Sequence, residues 1–383
     1  MSSPVTYLDN NATTRVDPRV VEAMTPLLGE LYGNPSSVHH FGAQVAGKIE
    51  EARACVAKLI GARDSEIIFT SGGTEADNAA LRGVLAARPS KKHVVISAVE
   101  HHAIFEPCEY FERQGYAVTK IGVDEQGRLD LTQLADSLRA DTALISIMLA
   151  NNETGVVLPV RQVCAIAKEH KVPVHTDAVN ALGKMPVNVD DLGVNLLSLS
   201  SHKIYGPKGV GALYVRRGTP LRPLMIGGGQ ERGRRGGTLN APGIIGLGAA
   251  CALLAESMNE TNDKIKTMRN EFEVELKRRY PDIYVLGEGT ERLPNTCCVC
   301  FPGLSSEAIL LLLSESGICV SSGSACSSGS VEPSHVLLAM GTDPHTAQGE
   351  IRFSFGRFNT GADVQRLFEV LPAVLDKVAS ANI

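Results

Sequence analysis

The stretch Leu196-Leu-Ser-Leu-Ser-Ser-His-Lys-Ile-Tyr-Gly-Pro-Lys-Gly-Val-Gly211 carries an apolar run into two hydroxyls (Ser200, Ser201), an imidazole (His202) and an amine (Lys203), then into a glycine-rich turn. A strand that ends in polar groups and then turns sets those groups at a sheet edge, where α/β enzymes place ligands. Two readings are open at this point. Lys203 either forms a Schiff base with a carbonyl cofactor or is a solvated lysine at a strand end, the ordinary outcome for an isolated Ser-His-Lys.

The same rhythm recurs on either side. Residues 67–70, 94–97, 117–121, 143–148, 172–176, 196–199 and 210–215 read as short apolar strands, while 74–85 and 161–170 carry helical patterns. Upstream, 18–31, closed by Gly29 and Gly33, and 43–60 also read as helices. Strands alternating with helices predict an α/β fold on a large, mostly parallel sheet covered on both faces. After about residue 258 the texture changes. A charged amphipathic helix (264–279), a strand (296–301), a helix (306–314), a small-residue loop (321–330), an alternating strand (350–355) and a closing helix (361–379) predict a smaller α+β lobe. The expected division is a large domain over 14–258 and a small one over 1–13 plus 259–383, which carries the Cys326 loop.

At 383 residues, with 44% hydrophobic and 21% charged side chains, the chain has room for two domains and an ordinary globular composition. A net charge of −5 without a long basic run leaves no footprint for nucleic acid or for an acidic membrane surface. The first eleven residues, Met1-Ser-Ser-Pro-Val-Thr-Tyr-Leu-Asp-Asn-Asn11, have neither a basic start nor an apolar core, so no export signal is read there. The uncharged stretch 238–255 approaches membrane-span length, but Pro242, Gly243, Gly246 and Gly248 interrupt it and it reads as a buried helix. Nine cysteines, an odd number, point to reduced thiols in the cytoplasm.

Several strand ends carry chemistry beside a plainer alternative. Thr70-Ser-Gly-Gly-Thr-Glu-Ala-Asp-Asn78 sets two glycines and a hydroxyl at a helix start, a cradle for an anion on free N–H groups. It is neither a Walker A loop nor Gly-x-Gly-x-x-Gly, and an ordinary capped helix is the alternative. His175-Thr-Asp177 ends a strand in a carboxylate that can hold a pyridine nitrogen protonated or cap a helix from Ala178 onward. His101, in Glu100-His-His102, offers an imidazole for stacking on a planar cofactor and for proton transfer; adjacent histidines share no face and make a poor metal pair. Ala150-Asn-Asn-Glu-Thr-Gly155 ends a further strand in amides. Arg352 offers a two-point grip on a carboxylate, with a surface ion pair as the alternative. Cys326 is hardest to explain as a core residue. Buried cysteines sit among apolar neighbours, whereas alanine, glycine and serine surround this one, so it reads as an accessible, reactive thiol. Cys297, Cys298 and Cys300 lie on a strand and read as small core residues.

These motifs form an ordered set: Tyr7-Leu-Asp-Asn-Asn-Ala-Thr-Thr14, Gly33-Asn-Pro-Ser-Ser37, Thr70-Ser-Gly-Gly-Thr-Glu75, Ala150-Asn-Asn-Glu-Thr-Gly155, His175-Thr-Asp-Ala178, Ser198-Leu-Ser-Ser-His-Lys203, Arg232-Gly-Arg-Arg-Gly-Gly-Thr238 and Ser321-Ser-Gly-Ser-Ala-Cys326. By them the sequence closely resembles the NifS/IscS-type cysteine desulfurases, group I of the class-V aminotransferase family, along essentially its whole length. The resemblance implies a pyridoxal 5'-phosphate enzyme of fold type I (aspartate aminotransferase-like), with a seven-stranded sheet. It implies that Lys203 forms the Schiff base, Asp177 partners the pyridine nitrogen, and His101 stacks on the ring and helps move protons. Thr74, Ser200 and His202 bind the phosphate, joined by Thr238 from the neighbouring subunit of a homodimer. Gly73, Asn152 and Asn180 are further cofactor contacts.

The resemblance also places the substrate, L-cysteine, against Asn152, Arg352 and Asn34, with Arg352 on its carboxylate. Cys326 attacks the substrate sulfur, keeps it as a persulfide, and alanine is released. Protonated pyridoxal withdraws electrons from the substrate α-carbon, after which a thiolate takes the sulfur. The implied acceptor is a NifU/IscU-like scaffold for iron–sulfur cluster assembly, with nitrogenase maturation as one destination. No intrinsic metal site is implied, although the Cys326 persulfide can transiently ligate a [2Fe–2S] cluster shared with a scaffold. The implied setting is cytoplasmic, without nucleic acid or membrane.

Two departures stand out. The family usually has glutamine where this chain has Asn180, and that glutamine reaches the phenolic oxygen of the cofactor. Asparagine is one methylene shorter, so the bond is expected to be lost, lengthened or made through water, shifting the Schiff-base pKa and slowing the chemistry. Only 57 residues follow Cys326 (383 minus 326); IscS proteins carry a longer tail, so the chain reads as nearer the NifS subtype. Two other readings compete. One is a selenocysteine lyase-like enzyme, which does not require the Cys326 thiol. The other is a non-catalytic sulfur or iron–sulfur carrier, which predicts no yellow chromophore.

Overall fold

The computed structural model describes residues 5–323 and 333–381. After a two-residue strand, β1 (Thr6–Tyr7), the chain lays down β2 (Ile67–Thr70), β3 (His93–Ser97), β4 (Ala117–Ile121), β5 (Thr142–Ser146), β6 (Val174–Asp177), β7 (Leu196–Ser200) and β8 (Gly211–Val215). The last seven form one sheet in the order β2-β8-β7-β6-β5-β3-β4. Only β8 runs against its neighbours; the remaining pairs are parallel. β3, β5 and β7 are buried along their whole length, as strands covered by helices on both faces must be.

The longer helices depart from the sequence reading in three places. The pattern over 18–31 is realised as two pieces, Pro18–Met24 and Pro26–Gly29, because Pro26 has no N–H with which to continue the first helix. Helices His102–Arg113 and Leu131–Ser137 carry weak sequence signals, the first because Pro107 lies inside it. The segments 238–255 and 264–279 are one helix, Ala241–Arg279. Its first half sends Ile244, Leu247, Cys251 and Leu254 into the core of the large sheet. Its second half sends Ile265, Phe272 and Leu276 into a separate apolar cluster. By length and composition this helix is long and apolar enough to cross a membrane, but its apolar half packs on helix His40–Leu59. The approach is close: a Cβ at Gly248 would lie 2.5 Å from the Ala52 Cβ.

Beyond that helix, β9 (Tyr284–Val285), β10 (Thr296–Cys300) and β12 (Glu350–Ser354) form an antiparallel sheet in the order β12-β10-β9. β11 (Ile318–Cys319) pairs in parallel with β1. The closing helix, Gly361–Ala381, covers this sheet with Leu367, Leu371 and Leu375. β12 alternates as expected but has no exposed face, for all five residues are buried. Ile351 and Phe353 enter the apolar cluster, while Glu350, Arg352 and Ser354 meet polar partners from Cys298, Asp9 and Asn11. Cys297 and Cys300 have Cys-x-x-Cys spacing, but strand alternation sends them to opposite faces. Burial pushes the thiols of Cys297, Cys298 and Cys300 up, and the described cysteines are all free.

Candidate active site

The carboxyl ends of the parallel strands open onto a cavity of about 450 Å³. The turn after β2 brings Gly73 and Thr74, β3 leads to His101, and β5 to Met148, Ala150 and Asn152. β6 brings Asp177, Val179 and Asn180; β7 brings Ser200, His202 and Lys203. The N-terminal segment adds Asp9 and Asn11, and β12 adds Arg352. Asn34 and Thr238 are exposed and do not line this cavity within one chain. Cys326 lies outside the described residues; Ser321, five positions earlier, lines the cavity.

Local structure orients each group. Helix Gly73–Ala87 begins without a side-chain cap, which leaves first-turn N–H groups for an anion. A Cβ at Gly73 would sit 2.7 Å from Val179 Cγ2, so glycine lets this helix start approach the turn after β6. Asp177 Oδ1 accepts from Val179 N at 2.8 Å, and the next helix begins only at Val189. Asp177 therefore caps no helix. Burial pushes its carboxyl up to about 6, against the Val179 N–H and the charge of Lys203. Lys203 leaves β7 through the short turn Ser201–Lys203 and donates to the backbone oxygen of Asn11.

His101 Nδ1 accepts from Ala103 N at 3.1 Å. Burial, then the charge of Lys203, pulls this imidazole down to about 4, so at neutral pH it is uncharged with its proton on Nε2. Burial also pulls His202 down to about 4; its Nδ1 lies 3.2 Å from Thr13 Oγ1. Arg352 is buried, not a surface ion pair. Its Nη2 donates to Asp9 Oδ1 at 3.0 Å and its Nη1 to the Asn152 oxygen at 3.1 Å.

Three groups of cavity-lining residues, Asp77 Oδ1, Asn180 Nδ2 and Arg352 Nε, are buried without a hydrogen-bond partner. Asp77 lies 3.6 Å from His175 Nε2, and burial pushes its carboxyl well up. Asp9, Asn11, Asp77 and Met148 carry no role in the sequence pattern, although the first three sit inside the motifs Tyr7–Thr14 and Thr70–Asn78.

Residues 6–367 match the Aminotransferase class-V family. The chain belongs to this family. It is 51% identical over 378 residues to a cysteine desulfurase of Trichormus azollae, covering 99% of this chain and 94% of that one. It is 46% identical to the cysteine desulfurase NifS of Azotobacter vinelandii, covering 98% and 94%. A solved NifS-like protein superposes with a TM-score of 0.92 at 39% identity, over 97% of this chain and 100% of the other. The sheet order and the second lobe are those of pyridoxal-phosphate enzymes of fold type I. The cavity's donor set fits that cofactor: an amine, a buried carboxylate, an uncapped helix start and an unpartnered amide donor.

Proposed function

We propose that this cavity is the active site of a pyridoxal-phosphate-dependent cysteine desulfurase, which removes sulfur from L-cysteine and releases L-alanine. The observation that carries the residue assignment is the convergence of Lys203, Asp177 and the uncapped helix start at Gly73–Thr74 on one cavity. When bound, pyridoxal phosphate supplies an electron sink for the substrate α-carbon. Lys203 supplies the anchoring amine and then a base. Asp177 holds the proton on the ring nitrogen, while Thr74, Ser200 and His202 grip the phosphate. His101 holds its proton at Nε2, ready for donation within the site. Arg352 and Asn152 receive the substrate, with the substrate carboxylate competing with Asp9 for the guanidinium. The Cys326 thiolate then takes the sulfur: the substrate C–S bond breaks as an S–S bond forms on the enzyme.

Further features support the wider reading. Leu28, Tyr32, Val38, Leu224, Met225 and Ile226 are large apolar side chains left exposed, as at an unfilled interface. They flank Asn34 and, through the Gly236 N to Met225 O bond, the segment that leads to Thr238, which supports a homodimer completing the site. One apolar cluster, built from Leu8 and residues between Ile265 and Val378, draws on 1–13 and 259–383 alone and supports a division into domains 14–258 and 1–13 plus 259–383, although Leu286, Leu293, Cys298, Val336 and Leu337 pack into the cluster of the large sheet. A cytoplasmic role delivering sulfur to a NifU/IscU-like iron–sulfur scaffold, including for nitrogenase, follows from the same kinship.

Absorbance and product analysis test the residue assignment. Wild type is expected to be yellow and to form alanine from cysteine. Lys203→Ala should lose both properties, while Cys326→Ala should keep the colour and form no persulfide. A Lys203→Ala protein with unchanged colour would sink it.

A further inference from the structure

The shorter amide at position 180 has a definite partner in this fold. Asn180 Oδ1 accepts from Lys184 Nζ at 2.5 Å, while its Nδ2, in a residue on the cavity wall, is buried and unpartnered. Lys184 is itself buried and stands behind that wall. Its other bond, at 3.1 Å, goes to Asn11 Oδ1. Asn11 cannot turn away. Its Oδ1 also accepts from Asn295 Nδ2 at 2.9 Å, its Nδ2 donates to Thr296 Oγ1 at 2.8 Å and to the Asn152 oxygen at 3.0 Å, and its backbone oxygen takes the Lys203 amine.

A lysine amine offers at least two N–H bonds in either protonation state, and here both fall on amide oxygens. Burial, then the charges of Lys203 and Arg352, pulls the Lys184 amine well down. Among the described residues it has no ion-pair partner, so pairing a carboxylate does not explain its burial.

We propose that Lys184 is a positioning residue: by engaging Oδ1 it turns the Asn180 carboxamide so that Nδ2 donates into the cavity, onto the phenolate oxygen of a pyridoxal ring anchored at Lys203. Without Lys184 the amide can flip and set an oxygen against that phenolate, replacing attraction by repulsion. A donor on the phenolate lowers the proton affinity of the adjoining nitrogen. Losing it therefore raises the pKa at which the bound chromophore changes colour. The inference rests on the assignment of Lys203 to the cofactor made above.

The test is a pH titration of the absorbance of the holoenzyme in wild type, Lys184→Met, Asn180→Ala and the double variant, with cofactor affinity measured by reconstitution. Each single substitution is expected to raise the chromophore pKa by about half a unit to one unit. Each should weaken cofactor binding about tenfold, equivalent to about 1.4 kcal/mol. The double variant should match Asn180→Ala, because Lys184 acts through that amide alone. Lys184→Leu gives a second apolar replacement if the methionine variant does not fold, with the same rise expected. A wild-type chromophore whose pKa is unmoved in Lys184→Met, or shifts that add in the double variant, would overturn the positioning role alone. Absence of the chromophore from wild type would overturn the site assignment and this role together.

Discussion

Glu100 precedes His101 and is fully buried. Its Oε1 accepts from Ser97 Oγ at 2.6 Å and Met148 N at 2.8 Å, while Oε2 has no partner. Burial pushes this carboxyl from its ordinary 4.5 up to about 8. The folded chain therefore holds the proton more tightly than the unfolded one. The resulting stabilisation is complete below about pH 4.5 and is lost as pH rises through about 8. Glu100→Gln copies the protonated form, with its amide oxygen in place of Oε1. It should match wild type in urea denaturation at pH 5 and exceed it at pH 8.5 by on the order of 3 kcal/mol; equal losses in both proteins would refute a raised Glu100. Arg352 makes a different prediction. Arg352→Lys keeps the charge but loses the fork, so kcat/KM for cysteine should fall about 100-fold with the cofactor absorbance unchanged. The two residues differ in legibility. Arg352 read alone leaves a surface ion pair open and gains its role through the family resemblance, whereas Glu100 looks like any polar residue after a strand until three elements enclose it.

At the scale of elements, β2, β3, β5, β6 and β7 were readable because each runs through apolar residues to a polar end, and the site motifs sit at those ends. The long helix was not. Between Leu254 and Ile265 the side chains become polar and partly exposed, which reads as a break although the backbone continues from Ala241 to Arg279. What changes there is the partner: the large sheet on one side, the small cluster on the other. A break in this helix should consequently uncouple the two cores. Asn259 is exposed within it, so Asn259→Pro removes no packing and acts through the backbone alone. The expected cost is about 3 kcal/mol, seen as a lower melting temperature, with Asn259→Ala close to wild type. An unchanged melting temperature in the proline variant would mean that the helix does not carry the coupling.

At the scale of the molecule, one chain brings together nearly every residue that the resemblance assigned to the cofactor, but it leaves Thr238 exposed and outside the cavity. On the proposed reading its site lies on a second copy, which no single-chain pattern could reveal. If Thr238 serves the neighbouring subunit, subunit mixing must reveal it. Thr238→Val removes one hydroxyl contact to phosphate and should weaken cofactor binding about tenfold. Lys203→Ala removes the anchoring amine. In a hybrid dimer of the two variants, purified through different tags, the only subunit that keeps Lys203 would receive an intact Thr238 from its partner. That hybrid should bind one cofactor per dimer with wild-type affinity, stronger than the Thr238→Val homodimer. If Thr238 instead serves its own chain, the hybrid would bind no better than that homodimer, because its surviving Lys203 would still face a valine.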